Sequence, residues 1–295
     1  MISIITATYN RKKDLKKLYE SLKNNIIDNL EWIIVDDGSS DGTKEEVTKW
    51  IKENKFKIIY KYQNNMGKMS AINNYINLVS NKYLFEIDSD DYLMNDTLKK
   101  VVEDIKNNKD NDIYGFIYLK NVNGKTLKID KNIEKISMFD LYNKKNYKGE
   151  LLILFDSKKR KEFKYELEEK EKFITEGHLF NKMDQKYKYL KVINRELLIC
   201  NYKEDGYTNN IEKMFFKYPK GYLKYYRSML CMPLKGVKVD RYLSIIKNYL
   251  FFIYINEAKF FKEIKKIKIK EKILLILLYI PGYLKYKIKY RNDYT

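Results

Sequence analysis

Along the first hundred positions the apolar residues switch repeatedly between a strand-like and a helix-like period. Short β-branched runs at Ile2 to Thr8, Glu31 to Asp36, Phe56 to Tyr62 and Tyr83 to Ile87 read as buried strands. Between them Leu15, Leu18, Tyr19 and Leu22 recur at helical spacing with lysines on the other face. Val47, Trp50 and Ile51 form a second such face behind Asp41-Gly42-Thr43, a helix-capping sequence, and Lys68 to Val79 reads as a third helix. Three strand-helix-strand crossovers in a row predict an α/β fold with a mostly parallel, doubly wound sheet. A helix over Asp96 to Ile105 and a strand over Asp112 to Leu119 follow, with a hairpin turn at Asn121 to Lys125. The pattern is then irregular up to about Lys172, where Lys158 to Lys161 and Glu166 to Glu171 read as oppositely charged stretches of one exposed helix. Leu179 to Tyr189 is amphipathic, and Leu190 to Asn194 is strand-like.

In a doubly wound sheet, ligands collect outside the carboxyl ends of the strands. Here those ends carry Thr6-Ala7-Thr8, Asp36-Asp37-Gly38-Ser39 and Asp88-Ser89-Asp90-Asp91, three polar loops on one edge. The carboxylates of Asp88, Asp90 and Asp91 repel one another unless something positive lies between them, and a hard divalent cation is the natural relief. Carboxylate ligation without His or Cys suits Mg²⁺ or Mn²⁺, whose shells are completed by substrate phosphates. The chain has neither a GxxxxGK[ST] nor a GxGxxG motif, which disfavours P-loop and dinucleotide enzymes.

Composition narrows the class further. With 44% hydrophobic and 15% aromatic residues, the 295-residue chain is too apolar for a disordered protein. Its two cysteines, Cys200 and Cys231, support neither a disulfide framework nor a zinc site. The net charge of +19 is uneven: residues 1–100 hold 16 Lys/Arg and 15 Asp/Glu (16 − 15 = +1), residues 206–295 hold 20 and 6 (20 − 6 = +14). A nucleic-acid reading therefore leaves the first third unexplained.

Four segments in order, Thr6-Ala-Thr-Tyr-Asn-Arg11, Ile34-Val-Asp-Asp-Gly-Ser-Ser-Asp-Gly-Thr43, Asn65-Met-Gly-Lys-Met-Ser-Ala-Ile-Asn73 and Glu86-Ile-Asp-Ser-Asp-Asp-Tyr-Leu93, resemble the successive signatures of a family 2 glycosyltransferase of the GT-A fold. The resemblance implies a nucleoside-diphosphate sugar donor, first among them a UDP-sugar, held by Thr8, Tyr9 and Asp37, with Asp88 and Ser89 on the ribose and diphosphate side. It implies a metal, Mn²⁺ or Mg²⁺, on Asp90, with Asp91 as a neighbouring acid. The chain has Ala71-Ile72-Asn73 where many members have Ala-Arg-Asn, so Lys68 is the nearest basic candidate for the donor; its other reading is an exposed lysine at a helix start.

Inverting sugar transfer needs a base on the acceptor hydroxyl. Lys172-Phe-Ile-Thr-Glu-Gly-His178 resembles the family segment that supplies it, which makes Glu176 the candidate catalytic residue. His178, the only histidine, reads either as a group orienting acceptor or diphosphate or as a structural hydrogen-bonding side chain. Asp184 reads as a mid-helix acid facing solvent, and Glu204 and Asp205 lie in a segment resembling the close of the catalytic domain.

The expected organisation is a catalytic domain over 1–208, divided into a nucleotide-sugar half (1–95) and an acceptor half (96–208), followed by a basic, aromatic helical extension over 209–295. From Lys259 to Arg291 there are 11 Lys/Arg against 2 Glu, interleaved with Phe260, Phe261, Ile264, Ile267 and the apolar run Ile273 to Ile280. Two readings stand: a helix lying in the interface of an anionic membrane, or a helix pair packed on the core with a solvated lysine face. The run is too short to span a bilayer and no signal peptide is evident, so the expectation is a cytoplasmic enzyme, peripheral on the inner face of the cell membrane. The implied function is an inverting transferase acting on a glycan or lipid-linked acceptor in cell-surface polysaccharide synthesis. The alternatives are a catalytically inactive scaffold of the same fold on the membrane and a basic nucleic-acid-binding protein.

Overall fold

The computed structural model describes residues 1–201 and 211–290, with side chains as far as residue 284. Its first half runs β1 (Ile2–Thr8), α1 (Lys12–Lys23), β2 (Leu30–Asp36), α2 (Thr43–Glu53), β3 (Lys57–Tyr62), α3 (Lys68–Tyr75) and β4 (Tyr83–Glu86). The strands pair in parallel in the spatial order β3-β2-β1-β4. β2 is buried along its whole length, as a parallel strand covered on both faces requires. On one face Trp32 stacks on Tyr19 of α1 and Trp50 of α2; on the other Ile5, Ile33 and Val35 pack on Ala71 and Ile72 of α3. Asp41 bonds the Thr43 amide and hydroxyl at the start of α2, so the expected capping group acts from one residue before the cap position.

Beyond β4 come β5 (Tyr92–Leu93), α4 (Thr97–Asn107), β6 (Ile113–Val122), β7 (Lys135–Ile136), α5 (Met138–Asn143), β8 (Leu151–Asp156), α6 (Ser157–Lys161), α7 (Glu176–Tyr187) and β9 (Tyr189–Cys200). β8 pairs antiparallel with β4 and with β6, β9 runs parallel to β6, and β5 and β7 pair antiparallel with β9. The parallel pattern thus belongs to the first half, and the sheet is mixed thereafter. The turn at 121–125 forms, with Asn123 and Gly124 at positive φ.

The single exposed helix expected over 158–171 does not exist. α6 stops at Lys161, and Arg160 inside it is fully buried, paired with Glu86 at 2.6 Å and bonded to the Phe163 carbonyl at 2.7 Å. Glu171 accepts the Lys220 and Gly221 amides. A charge run read as a solvated face is here a clasp, because a largely covered acid on β4 and two amides of a distant helix each need a partner.

The remainder is α8 (Ile211–Lys217), α9 (Pro219–Leu230), α10 (Val239–Ile255), α11 (Phe260–Ile264) and α12 (Ile269–Tyr290). Pro219 stands in the first turn of α9, where its missing N–H has no helical partner to lose. These helices share their own apolar cluster, including Tyr222, Leu230, Tyr249, Phe252 and Leu275. α9 packs on α7 and α10, and α10 packs on α12.

Candidate active site

The chain order reverses across β1 and β4, so the carboxyl ends of these two strands open a crevice between them. Two adjoining cavities fill it. One, of about 550 Å³, is lined by Thr8, Tyr9, Asp37, Gly67, Lys68 and Tyr218; the other, of about 700 Å³, by Asp88, Asp90, Lys120, Phe180 and Glu176 among others. Ala7, Tyr9 and Lys68 belong to both walls.

In the smaller cavity, Thr8 Oγ1 is buried and has no hydrogen-bond partner among the described residues. A buried hydroxyl without a partner on a cavity wall suits a polar ligand atom. Asp37 is also buried, but its carboxylate accepts the Gln63 side-chain amide at 2.7 Å and the Met66 and Gly67 amides, each at 2.8 Å. It therefore shapes the loop before α3 as well as facing the cavity. Gly67 has a φ of 91° and its backbone lies so close to Lys172 that a Cβ would stand 2.5 Å from that carbonyl oxygen. Tyr9 is exposed, with its ring open to a stacking partner. Tyr218, from the start of the helical extension, closes this cavity opposite them and was not expected from the sequence.

Lys68 links the two cavities. As the first residue of α3 its ammonium lies 2.5 Å from Asp88 Oδ1 and 2.8 Å from Glu176 Oε1, joining residues 108 positions apart. Burial works against its charge, yet the two facing carboxylates outweigh it and hold the Lys68 pKa well above its ordinary value. The Asp88 carboxyl is held low in turn, because Lys68 and Lys120 more than offset its burial. Of the two readings of Lys68, the exposed helix-start lysine is excluded.

Glu176 opens α7 behind Thr175, whose hydroxyl accepts the Gly177 amide and fixes the helix start. Ser89 is buried on the wall of the larger cavity. Asp91 is buried beneath it, bonded to Lys120 Nζ at 2.9 Å. Its burial pushes the carboxyl pKa up, with Lys120 partly opposing. Lys120 ends the buried run of β6, and sequence reasoning missed it; the signal was a lone lysine after seven apolar or glycine positions, Ile113 to Leu119.

The repulsion expected within the acidic loop is thus relieved largely from inside the chain: Lys68 answers Asp88 and Lys120 answers Asp91. Among the described residues no three His, Cys, Asp or Glu are grouped to hold a metal by themselves. Asp90 is half-buried on the cavity wall and pairs with no described residue. One open carboxylate fits a cation whose other ligands come from a diphosphate and water.

His178 lines neither cavity. It is buried on α7 with Nε2 at 3.2 Å from Glu166, which Lys182 also meets. Burial lowers its pKa, with Glu166 partly opposing. Its place is that of the structural hydrogen-bonding reading. Asp184, expected to face solvent, is instead buried: it accepts the Tyr114 hydroxyl at 2.7 Å and the Phe139 amide at 2.8 Å, and burial raises its pKa to about 7. It ties α7 to the amino end of α5. Glu204 and Asp205 lie outside the described residues.

The chain is 31% identical over 131 residues to an uncharacterized glycosyltransferase of Methanocaldococcus jannaschii, covering 43% of this chain and 45% of that one. It is 32% identical over 107 residues to the poly-beta-1,6-N-acetyl-D-glucosamine synthase of Staphylococcus epidermidis, covering 36% and 26%. The chain therefore spans less than half the length of these relatives. Among solved structures, S. aureus TarS 1–349 in complex with UDP-GlcNAc matches with a TM-score of 0.63 at 16% identity, over 99% of this chain and 91% of that one. The mannosyltransferase PcManGT of Pyrobaculum calidifontis, in complex with GDP-Man and Mn²⁺, matches at 0.56 and 14% identity, over 96% and 82%. Likeness at that identity speaks for the fold, and the fold is the expected GT-A architecture. The family model that matches, Glycosyl transferase family 2, extends over residues 3–170, more than half of the chain, and takes in every strand-end loop of the crevice from Thr8 to Asp91. On that match the chain belongs to glycosyl transferase family 2.

Proposed function

We propose that the protein is an inverting, metal-dependent glycosyltransferase that moves a sugar from a nucleoside-diphosphate sugar, first among them a UDP-sugar, to a glycan or lipid-linked acceptor in cell-surface polysaccharide synthesis. One observation carries the reading: Lys68 brings the acidic loop after β4 and Glu176 of α7 to the same point, where the two cavities meet. The matched proteins agree with it, since TarS is in complex with UDP-GlcNAc, PcManGT is in complex with GDP-Man and Mn²⁺, and the staphylococcal relative is a poly-beta-1,6-N-acetyl-D-glucosamine synthase.

In this reading Thr8, Tyr9 and Asp37 hold the nucleoside in the smaller cavity, and Tyr218 closes over it. Asp88, Ser89 and Lys68 face the diphosphate, and Asp90 holds Mn²⁺ or Mg²⁺ with Asp91 behind it. The metal, when bound, stabilises the negative charge that develops on the departing diphosphate. Glu176 takes the proton of the acceptor hydroxyl as that oxygen bonds to the anomeric carbon. The bond from that carbon to the diphosphate oxygen breaks on the opposite side, its electron pair leaves with the nucleoside diphosphate, and the anomeric configuration inverts. Lys68, 2.8 Å from Glu176 Oε1, holds that carboxylate in place in the crevice before the acceptor arrives.

Residues 1–208 form the catalytic domain and 209–295 the extension, which keeps its own apolar cluster. The extension holds the enzyme peripherally on an anionic membrane at its cytoplasmic face. No helix among the described residues is long and apolar enough to cross a membrane.

The test is nucleoside diphosphate release from a panel of nucleotide sugars with Mn²⁺, Mg²⁺ or EDTA. Release from a preferred donor, abolished by EDTA and by Asp90→Ala, supports the reading. No release and no metal-dependent nucleotide binding by the wild type would sink it in favour of the inactive scaffold.

A further inference from the structure

The sequence leaves two readings of the C-terminal helices, and they differ in what the outer face of α12 should be. A helix pair packed on the core predicts lysines outward and apolar residues inward. The structure shows apolar residues on both faces. Leu274, Leu275, Leu278 and Tyr279 point to the rest of the extension, with Leu275 fully buried and Tyr279 stacked on Phe260 at 4.0 Å. The Tyr279 carbonyl also accepts the Tyr254 hydroxyl at 2.5 Å. Gly282 lies against the same tyrosine, where a Cβ would stand 2.9 Å from its hydroxyl. These contacts fix the rotation of the helix about its axis.

Facing away from them are Ile269, Ile273, Ile276, Leu277, Ile280 and Leu284, each between 51% and 75% exposed. At about 100° per residue these six fall within one arc of about 100°, a continuous stripe along four turns. Lys270 and Lys272 project at the two borders of that arc, by the same geometry. Phe261 of α11 is a further outward apolar residue, 73% exposed.

The charges around the stripe select its occupant. Both acids of the segment, Glu263 and Glu271, are buried, and Glu263 pairs with Arg227 and Lys266. The exposed charges of α11 and the start of α12 are lysines: Lys262, Lys265, Lys268 and Lys270, with the half-buried Lys272, accompany the stripe without an exposed acid. A second copy of the same face would set lysines against lysines, whereas an anionic lipid surface offers acyl chains to the stripe and phosphates to the lysines.

We propose that the Ile269–Leu284 stripe of α12, with Phe261, is a preformed docking face for an anionic lipid bilayer, on which the helix lies parallel to the surface. This names the face and the lipid chemistry behind the peripheral-membrane reading, and rests on that reading. It does not rest on the sugar-transfer reaction. Because the stripe is held outward by Tyr279 and Gly282 in the free protein, docking requires no refolding of the helix.

Vesicle flotation with the full chain tests it, using phosphatidylcholine vesicles with and without about 30% phosphatidylglycerol, an anionic fraction whose surface potential draws in a polybasic face. Wild type should float with the anionic vesicles and remain below with the neutral ones. Leu277→Ser with Ile280→Ser should weaken binding about tenfold or more, and Lys270→Glu with Lys272→Glu should weaken it and flatten its salt dependence. Lys270, Leu277 and Ile280 are exposed and Lys272 is half-buried, so thermal melts of the serine pair should overlay the wild type and those of the glutamate pair should stay close to it. Wild type that stays below with anionic vesicles overturns the proposal, as does a serine variant that floats equally well. A concentration-dependent dimer abolished by the serine pair, without flotation, assigns the face to a second copy and likewise overturns it. Nucleoside diphosphate release in vesicle-free buffer, followed in parallel, separates the two readings: its absence counts against the transferase alone, and loss of flotation counts against the docking face alone.

Discussion

The two walls of the crevice are made by different means. The wall proposed to hold the donor, here the donor wall, consists of loops that continue parallel strands, so Thr8, Asp37 and Asp88 are positioned by backbone that the sheet itself fixes. The wall proposed to face the acceptor, here the acceptor wall, is assembled from β6, α7 and the extension, elements far apart in sequence, and it is tied to the donor wall by side-chain ion pairs. The donor wall should accordingly tolerate loss of a charged side chain as a local change, and the acceptor wall should respond with its position or its stability.

The sharpest test of that difference is Glu176→Gln, which keeps the shape of the side chain and removes the carboxylate proposed as the base. Transfer should fall by about 10² to 10⁴, while donor binding, measured by nucleotide titration, should change little. An equal collapse of donor binding would show that the two walls are one unit. Lys120→Met comes next in expected effect. It leaves Asp91 buried without its cation, a loss of about 3–5 kcal/mol in unfolding measurements. The Asp91 carboxyl is already shifted upward, so lowering the pH from 7 toward 5 should let it protonate and recover part of the loss. The double variant Lys120→Met with Asp91→Asn should regain most of the stability at pH 7.

Tyr218→Ala asks whether the extension belongs to the donor site. Removing an aromatic wall should raise the donor KM about twofold to tenfold, with thermal stability lowered because Tyr218 also packs on Phe173. Tyr218→Phe, which keeps the ring, should restore both. An unchanged KM in the alanine variant would confine the donor site to the first wall.

The same division governs what could be read from the sequence. Strand ends and the loops after them were legible because each is a short contiguous pattern, and Lys68 was visible as the one basic residue in its motif. Its pairing with Glu176 was not, since nothing local to either residue records a contact across 108 positions. Lys120, Tyr218 and Asp184 were missed or misplaced for the same reason: their roles are set by partners on other elements. Arg160 shows the reverse error, in which a run of Lys158-Lys159-Arg160-Lys161 reads as solvated until Glu86 is found beneath it. The outward face of α12 was invisible in another way, because the apolar run Ile273 to Ile280 gives no sign of which residues will be covered.

Asp184 supplies the smallest effect and the one whose sign is most easily mistaken. Its carboxylate accepts three donors, which favour the charged form, but burial dominates and places its folded pKa at about 7, above the ordinary 3.8. The folded protein therefore binds this proton more tightly than the unfolded chain does. Through linkage, stability from this group is greatest below the unfolded value and declines as the pH rises from about 4 to about 7. His178 works in the opposite sense. Its folded pKa is lowered by burial, so the unfolded chain binds that proton more tightly and stability falls as the pH drops below the ordinary value of 6.5. Asp184→Asn removes the first contribution and leaves the second. Its melting temperature should therefore rise with pH between 5 and 7 more steeply than that of the wild type, by about 2–4 °C over the interval. The variant should also be less stable at pH 5, because an amide nitrogen replaces one of the oxygens that accept the Met138, Phe139 and Tyr114 donors. If the two proteins melt in parallel across this range, Asp184 is ionised throughout, and the junction between α7 and α5 is an ordinary capped helix end rather than a protonated one.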